Sequence, residues 1–259
     1  MSRKRLTPIA LALGLTALAF AAESGGPSGP VSGAVFDRSS RSIRPILGIP
    51  GSSYLGPDAA AGLDEAAVAP NGSLALALSA GRLVLVRGLE RLSPVSVDIE
   101  GALADAGRIA WSPDSSAAVL YSPASRRIQV IRNVEKSPVA GSATELAAAG
   151  RLSSLAVDAS GNVLAGVEGA GLFLHAAGQP ARLLAPFGNV TSLLLTRGGA
   201  DVFVVDREKG LIAEIRDFLT SAAVMPFTDG LLDPAGIALS RDKRQMFVAT
   251  AGEDRKSVV

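Results

Sequence analysis

The sequence predicts an all-β protein, a β-propeller of four-stranded blades. Three observations lead to this fold class. Short apolar runs alternate with turn residues, an internal repeat has a period near forty residues, and apolar runs rarely continue past about six positions, as a helix would require. Of the 259 residues, 48% are hydrophobic, so a large core can form without disulfides, and the chain has no Cys.

Five segments of the chain share the order strand, turn, strand, tight turn, strand. They are "AAVAPNGSLALALSAGRLVLVRG", "IAWSPDSSAAVLYSPASRRIQVIRN", "LAVDASGNVLAGVEGAGLFLHAAG", "LLLTRGGADVFVVDREKGLIAEIRD" and "IALSRDKRQMFVATAGED". Their first turns are 43, 46, 38 and 44 residues apart, at Asn71, Asp114, Ser160, Gly198 and Asp242. A period near forty with about four strands per unit is typical of propeller blades.

The residues between strands are those that hairpins need. "PNG", "SPDS" and "ASGN" place Asn, Asp and Gly where a turn requires a positive φ or a local side-chain hydrogen bond. The linking stretches are expected to carry the fourth, outer strand of a blade, at Val95 to Ile99, Ala181 to Leu184 and Ala222 to Met225.

Several repeats resemble known propeller repeat types. "IAWSPDSS", Ile109 to Ser116, resembles the TolB-type and WD-like bacterial repeat. "LLDPAGIALSRD", Leu231 to Asp242, is similar to the opening of the NHL repeat, and "IALSRDKRQMFVAT" also resembles the YVTN type. The resemblance implies a propeller with a central channel. It assigns no functional residue, because the matched positions are turn and core positions.

The first thirty residues are predicted to be a targeting segment and a leader. Residues 3–5 are basic, residues 6–20 are mainly apolar, and Ala19 and Ala21 give the small-x-small pattern of signal peptidase sites. Residues 1–21 are therefore interpreted as a signal peptide, the alternative being an uncleaved anchor helix. The Gly-, Pro- and Ser-rich residues 22–30 are a flexible leader, and the protein is expected to be secreted or periplasmic.

The propeller is predicted to span residues 31–253, either incomplete or five-bladed. "VSGAVFDRSSRSIRPILGIPG" matches only the middle of a repeat, so Val31 to Leu47 would close a fifth, composite blade with Gly236 to Thr250. In the other interpretation the chain is a fragment. "DRKSVV" resembles the translation of a sequencing adaptor, so residues 254–259 would be a non-native tail and the intact protein would have six or seven blades.

Composition excludes nucleic-acid binding. Without residues 3–5 the chain has 22 basic and 24 acidic residues, a net charge of −2, and aromatic residues make up only 4%. Nucleic-acid binding needs a basic surface, usually with stacking aromatics. No later segment is apolar for long enough to span a bilayer, so the mature chain is predicted to have no membrane span.

Few residues suggest chemistry. His175, the only histidine, ends a predicted strand and is more consistent with a surface position than with a general base. No Gly-x-Ser-x-Gly motif, dinucleotide fingerprint, EF-hand loop or thiolate site occurs. Trp111 is expected in the core between blades. No catalytic, cofactor-binding or metal-binding residue is therefore assigned.

Calcium is the one metal ion whose binding the sequence leaves undecided. Calcium needs several converging oxygen ligands, and candidate carboxylates near strand ends are Asp158, Glu168, Asp206 and Asp233. Asp158 and Asp206 are interpreted first as turn residues.

Two functions remain, and if the chain is a fragment the propeller would also precede a further C-terminal domain. The first is a non-enzymatic binding scaffold that recognises a protein, peptide or glycan with loops on a rigid disc. The alternative is a calcium-dependent propeller hydrolase or lactonase with its site in the central channel.

Overall fold

The computed structural model describes residues 30–91, 93–196, 199–240, 242, 244–251 and 256–258. The predicted signal peptide, all of the leader except Pro30, and residues 254, 255 and 259 of the predicted tail lie outside these residues, as does the turn position Gly198. In the part of the chain that is described, no helix is long and apolar enough to cross a membrane.

The described chain folds into six antiparallel sheets, arranged in chain order. The first two sheets contain β1 (Val31–Asp37), β2 (Ser42–Ile49), β3 (Ser52–Leu55), β4 (Ala60–Ala61), then β5 (Glu65–Val68), β6 (Leu74–Ser79), β7 (Arg82–Arg87) and β8 (Val95–Asp98). The third and fourth contain β9 (Arg108–Trp111), β10 (Ala118–Ser122), β11 (Arg127–Arg132), β12 (Val139–Ala140), β13 (Thr144–Glu145), then β14 (Leu152–Val157), β15 (Val163–Val167), β16 (Gly171–His175) and β17 (Arg182–Ala185). The fifth and sixth contain β18 (Val190–Leu195), β19 (Val202–Asp206), β20 (Leu211–Arg216), β21 (Ala223–Thr228), then β22 (Pro234–Leu239), β23 (Met246–Thr250) and β24 (Lys256–Val258).

Alternating side chains in the second strand of a sheet enter two different cores. In β6, Leu74, Leu76 and Leu78 pack toward the third sheet, whereas Ala75 and Ala77 pack toward the first. Because successive side chains on a strand point to opposite faces, a strand buried on both faces reads as a continuous apolar run. "LALALS" is such a run, and its burial places the second sheet face to face with both neighbours.

The first strand of each sheet lies at its inner edge. β1, β5, β9, β14, β18 and β22 each pair with one strand of their own sheet, and each of the first five contacts the first strand of the next sheet. These edges therefore line a common central channel, and the fold class predicted from the sequence is confirmed.

Four of the inner strands contain an irregularity at the same place. The pairing register shifts at the second residue of β1, β14, β18 and β22, which is Ser32, Ser153, Thr191 and Ala235 respectively. An extra residue of this kind leaves the ladder and re-aims its side chain.

Three of the five repeated first turns share one hydrogen bond. The side-chain oxygen of Asn71, Asp114 and Asp242 accepts a bond from the backbone N–H two residues on, at 3.0, 3.1 and 3.2 Å. Asp37, between β1 and β2, accepts the same bond from Ser39 at 2.9 Å. The local Asx bond thus recurs between the first two strands of four sheets.

The structure corrects the prediction for the N-terminal part of the propeller. Val31 to Leu47 is not the middle of a repeat but the inner hairpin of a sheet that β3 and β4 complete. It does not pair with Gly236 to Thr250, which lie in the sixth sheet with β24, so no composite blade forms among the described residues. The outer strands were missed because β3 and β4 are short, largely exposed and separated by Gly and Pro.

The predicted outer strands of three other blades are confirmed with small shifts at their ends, as β8, β17 and β21. Lys256–Val258, within the predicted tail, pairs with β23. That the tail is non-native stays a prediction.

Candidate functional site

A cleft of about 440 Å³ lies between the third and fourth sheets. Its floor consists of Ile128, Val130 and Val163, which belong to β11 and β15. Its rim is formed by residues 141–145 on one side and residues 175–181 on the other. Both rims are rich in Gly and Ala, and such small side chains leave the space between the sheets unfilled.

Two charged side chains line this cleft without an ion-pair partner in the described chain. Arg132 ends β11, and its guanidinium lies against Gly161, where a Cβ atom would be 2.8 Å from Arg132 Nε. Glu145, on the short edge strand β13, is the second. Every other polar rim group is neutral, so the cleft offers one cation and one anion to a ligand.

His175 also lines the cleft. It ends β16, pairs with Val163 in the ladder, and is half-buried. Its Nε2 atom is buried and has no hydrogen-bond partner in the described structure. Burial lowers the pKa of His175 below its usual 6.5, so the imidazole is neutral near pH 7. A histidine expected at the surface is therefore partly buried beside a cleft.

Asp206 and Asp158 have structural roles, as the turn interpretation predicted. The fully buried carboxylate of Asp206 accepts backbone N–H bonds from Gly188, Asn189 and Glu208 at 2.9–3.1 Å. Asp158 accepts bonds from the backbone N–H and the side chain of Asn162 at 2.8 and 2.7 Å. These oxygens hold the turns around them together.

Glu168 and Asp233 are partners of arginines. Glu168 accepts a bond from Arg151 Nε at 2.9 Å, and Asp233 accepts one from Arg207 Nη2 at 2.9 Å. Within the described ranges, no three His, Cys, Asp or Glu side chains are placed to share a metal ion. The structure therefore does not bring the four candidate carboxylates to one point.

Trp111 lies between blades, as expected. It packs against the core between the second and third sheets, and its Nε1–H donates to the carbonyl of Ala67 on β5 at 2.9 Å. That bond joins two neighbouring inner strands, and Trp111 is thus a structural residue.

Sequence reasoning missed Arg132 and Glu145. Arg132 is the polar end of the strand "RIQVIR", and a charged residue at the end of a strand does not by itself indicate a site. The signal that could have identified the cleft is the pair of small-residue runs, "GSA" and "AAG", on the two facing connections.

Comparisons with known proteins give structural matches only. Neither a family model nor a curated protein matches the chain. A protein of unknown function from Desulfotomaculum acetoxidans is similar in structure, with 18% identity, a TM-score of 0.61, and coverage of 87% of this chain and 74% of the other.

Two further solved structures are similar. One is a protein of Bacteroides fragilis provisionally described as a 6-phosphogluconolactonase, with 14% identity, a TM-score of 0.60, and coverage of 88% of this chain and 75% of that one. The other is the Swd1 β-propeller domain of Myceliophteria thermophila, with 10% identity, a TM-score of 0.53, and coverage of 74% and 64%. At these identities the likeness concerns the fold alone, and together with the six antiparallel sheets it establishes the chain as an all-β propeller.

Proposed function

We propose that the protein is a secreted or periplasmic binding scaffold without enzymatic activity, and that the cleft between its third and fourth sheets holds a peptide segment of a partner protein. The single observation that carries the proposal is the gathering of Arg132, Glu145 and the buried His175 Nε2 in one cleft with no partners among the described residues. Unpaired polar groups beside an apolar floor are typical of ligand sites.

The edge strand β13 favours a peptide as the ligand. β13 pairs only with β11, through Arg127 and Ile128, so its other edge has free backbone N–H and C=O groups beside the cleft. An extended peptide binds such an edge through its own backbone, and pockets beside the edge then select its side chains. Arg132 and Glu145 would select acidic and basic side chains respectively.

Binding to an array of random peptides about ten residues long tests the proposal. The variant Ala177→Trp fills the mouth of the cleft, because Ala177 is an exposed rim residue. Ala124→Trp is the matched control on an exposed turn away from the cleft. We expect selected peptides to lose at least about tenfold in affinity with Ala177→Trp only, since a lost site contact of about 1.4 kcal/mol has that effect.

Equal binding by both variants would contradict the proposed site. Binding of oligosaccharides in place of peptides, with the same loss in Ala177→Trp, would keep the cleft and replace the ligand class. A calcium-dependent rise in melting temperature, together with esterase or lactonase activity, would favour the alternative hydrolase.

A further inference from the structure

A second recess lies in the central channel, away from the cleft. It measures about 240 Å³ and is lined by three consecutive residues from each of β9, β14 and β18, residues 108–110, 153–155 and 191–193. We propose that this recess binds an oxyanion, the carboxylate or phosphate group of a ligand that enters the channel, and that Arg108 is the residue that holds it.

The charge of the recess is the first argument. Its lining contains one guanidinium, four hydroxyl side chains and no acidic residue. Two further arginines, Arg38 and Arg151, lie close enough to lower the pKa of Arg108. Both are already paired, Arg38 with Glu65 and Arg151 with Glu168. Of these three arginines, Arg108 is the one without a carboxylate partner in the described part of the chain.

The hydrogen bonds of Arg108 are the second argument. A guanidinium has five N–H donors in a fixed fork. Arg108 Nη1 donates to the backbone carbonyl of Ser153 at 2.8 Å. This bond joins β9 to β14 and holds the side chain between the two strands. The remaining donors have no partner among the described residues, and a fork of this kind matches carboxylate and phosphate oxygens.

The hydroxyl groups supply the third argument. Ser154 is only 5% exposed, and its Oγ atom is buried without a hydrogen-bond partner. A buried hydroxyl without a partner is costly, and a ligand oxygen would satisfy it. Ser192 Oγ accepts a weak bond from the N–H of Ile237 at 3.4 Å, which leaves its own proton free to donate.

The backbone explains why these side chains meet. Ser153 and Thr191 are the bulged residues of β14 and β18. Bulges are over-represented next to binding sites because they redirect a side chain out of the ladder. Here the same irregularity places Ser153 and Thr191 at the recess beside Arg108. Their hydroxyl groups already donate to the carbonyls of Gly166 and Pro234 at 3.1 Å, so the donors left for an anion are those of Arg108, Ser154 and Ser192.

Desolvation of Arg108 is consistent with an anion site. Burial, and then the positive charge of Arg151, lower the pKa of Arg108, although a guanidinium stays charged at neutral pH. Arg108 is an exposed residue, so only part of its hydration is lost, and the charge of Arg151 lies near a cation that a ligand can reach. A bound oxyanion would compensate both effects.

Titration of the ¹⁵N-labelled protein with sodium phosphate, and separately with sodium acetate, tests the proposal. Ionic strength is held constant with chloride, and the readout is the Arg108 Nε–H signal. We expect saturable shifts, and a loss of about tenfold or more in affinity for Arg108→Gln, because charged hydrogen bonds contribute strongly. The exposed Arg91→Gln is the matched control and should bind as the parent protein does.

Ser154→Ala keeps the test decisive if Arg108→Gln folds poorly. This variant removes a hydroxyl that has no partner, so it should fold normally and bind the anion a few times more weakly. Tighter binding of phosphate indicates a phosphorylated ligand, and tighter binding of acetate a carboxylate. Absence of saturable shifts with either ion, or equal affinities in all variants, overturns the proposal. Because the cleft shares no residue with the recess, neither result depends on the peptide site.

Discussion

The protonation of His175, the single histidine of the sequence, is coupled to folding. His175 is half-buried at the end of β16, and its Nε2 atom has no partner among the described residues. In the unfolded chain the same imidazole is solvated and titrates near its ordinary pKa of 6.5. The folded protein thus disfavours the protonated form.

This difference predicts the direction of a pH effect. Since the folded pKa is below the unfolded one, the unfolded state binds more protons as the pH falls through 6.5, and the free energy of unfolding decreases. His175→Gln should remove this part of the pH dependence. Urea unfolding of both proteins between about pH 8 and pH 5 measures it.

The interpretation of that experiment is simplified by the composition. His175 is the only histidine, and the aspartates with shifted pKa values, Asp37, Asp114 and Asp242, all move down from 3.8. A parent protein and variant with parallel pH profiles would show that the imidazole is as well solvated in the folded state as in the unfolded one.

At the residue scale, sequence predicted turn chemistry better than site chemistry. The Asx bonds of Asn71 and Asp114 depend on neighbours two residues away, so local sequence contains them. Whether Arg132 has an ion-pair partner depends on which residues the neighbouring sheet places beside it. That information is distributed over about forty residues of chain, the length of a blade repeat, and no motif records it.

At the element scale, β16 begins with a residue that only glycine fits. Gly171 has φ +113°, and a Cβ atom there would lie 2.5 Å from the carbonyl oxygen of Ala185 on β17. The closeness comes from the pairing of β16 with the outer strand β17, whose register shifts beside this point.

Gly171→Ala should therefore lower the free energy of unfolding by about 3 kcal/mol, because backbone strain and a backbone clash add together. Gly81→Ala is the matched control. Gly81 has φ +73° in a tight turn with no atom within 4 Å, so only the conformational cost of about 1 kcal/mol applies. Equal losses in chemical denaturation would show that β17 moves aside without resistance.

The elements that the sequence failed to predict are those with least burial. β3 and β4 complete the first sheet, but β3 is exposed throughout and β4 has two residues. Their register is set by the already formed β2, as Ile46 pairs with Leu55 and Ser42 with Ala61. Apolar alternation could not reveal strands whose position depends on a neighbour.

At the scale of the whole molecule, stability is distributed along a series of sheets. Each sheet packs on its chain neighbours, and among the described residues no strands of the sixth and first sheets pack together as closely as neighbouring inner strands do. The core between the fifth and sixth sheets is formed by Val205, Ile212, Met246 and Val248, and is much smaller than the core between the fourth and fifth.

Amide hydrogen exchange should reveal this gradient. The fourth sheet has a core on both faces, so amides of β15 should be protected by the global unfolding free energy, whereas amides of β23 should exchange at least about tenfold faster through local opening. Equal protection of the two strands would indicate that the sixth sheet is held as firmly as the interior ones.

The bulged residues have a consequence for how such a protein could be altered. Ser32, Ser153, Thr191 and Ala235 occupy one equivalent backbone position on four inner strands, and each stands outside the ladder of paired residues. Three of these side chains donate a hydrogen bond to a backbone carbonyl: Ser32 to Gly48, Ser153 to Gly166 and Thr191 to Pro234. A substitution at any of these three positions therefore removes a bond between strands, whereas Ala235 has no side-chain bond to lose, so the inner surface of the propeller can be altered at least cost on the sixth sheet.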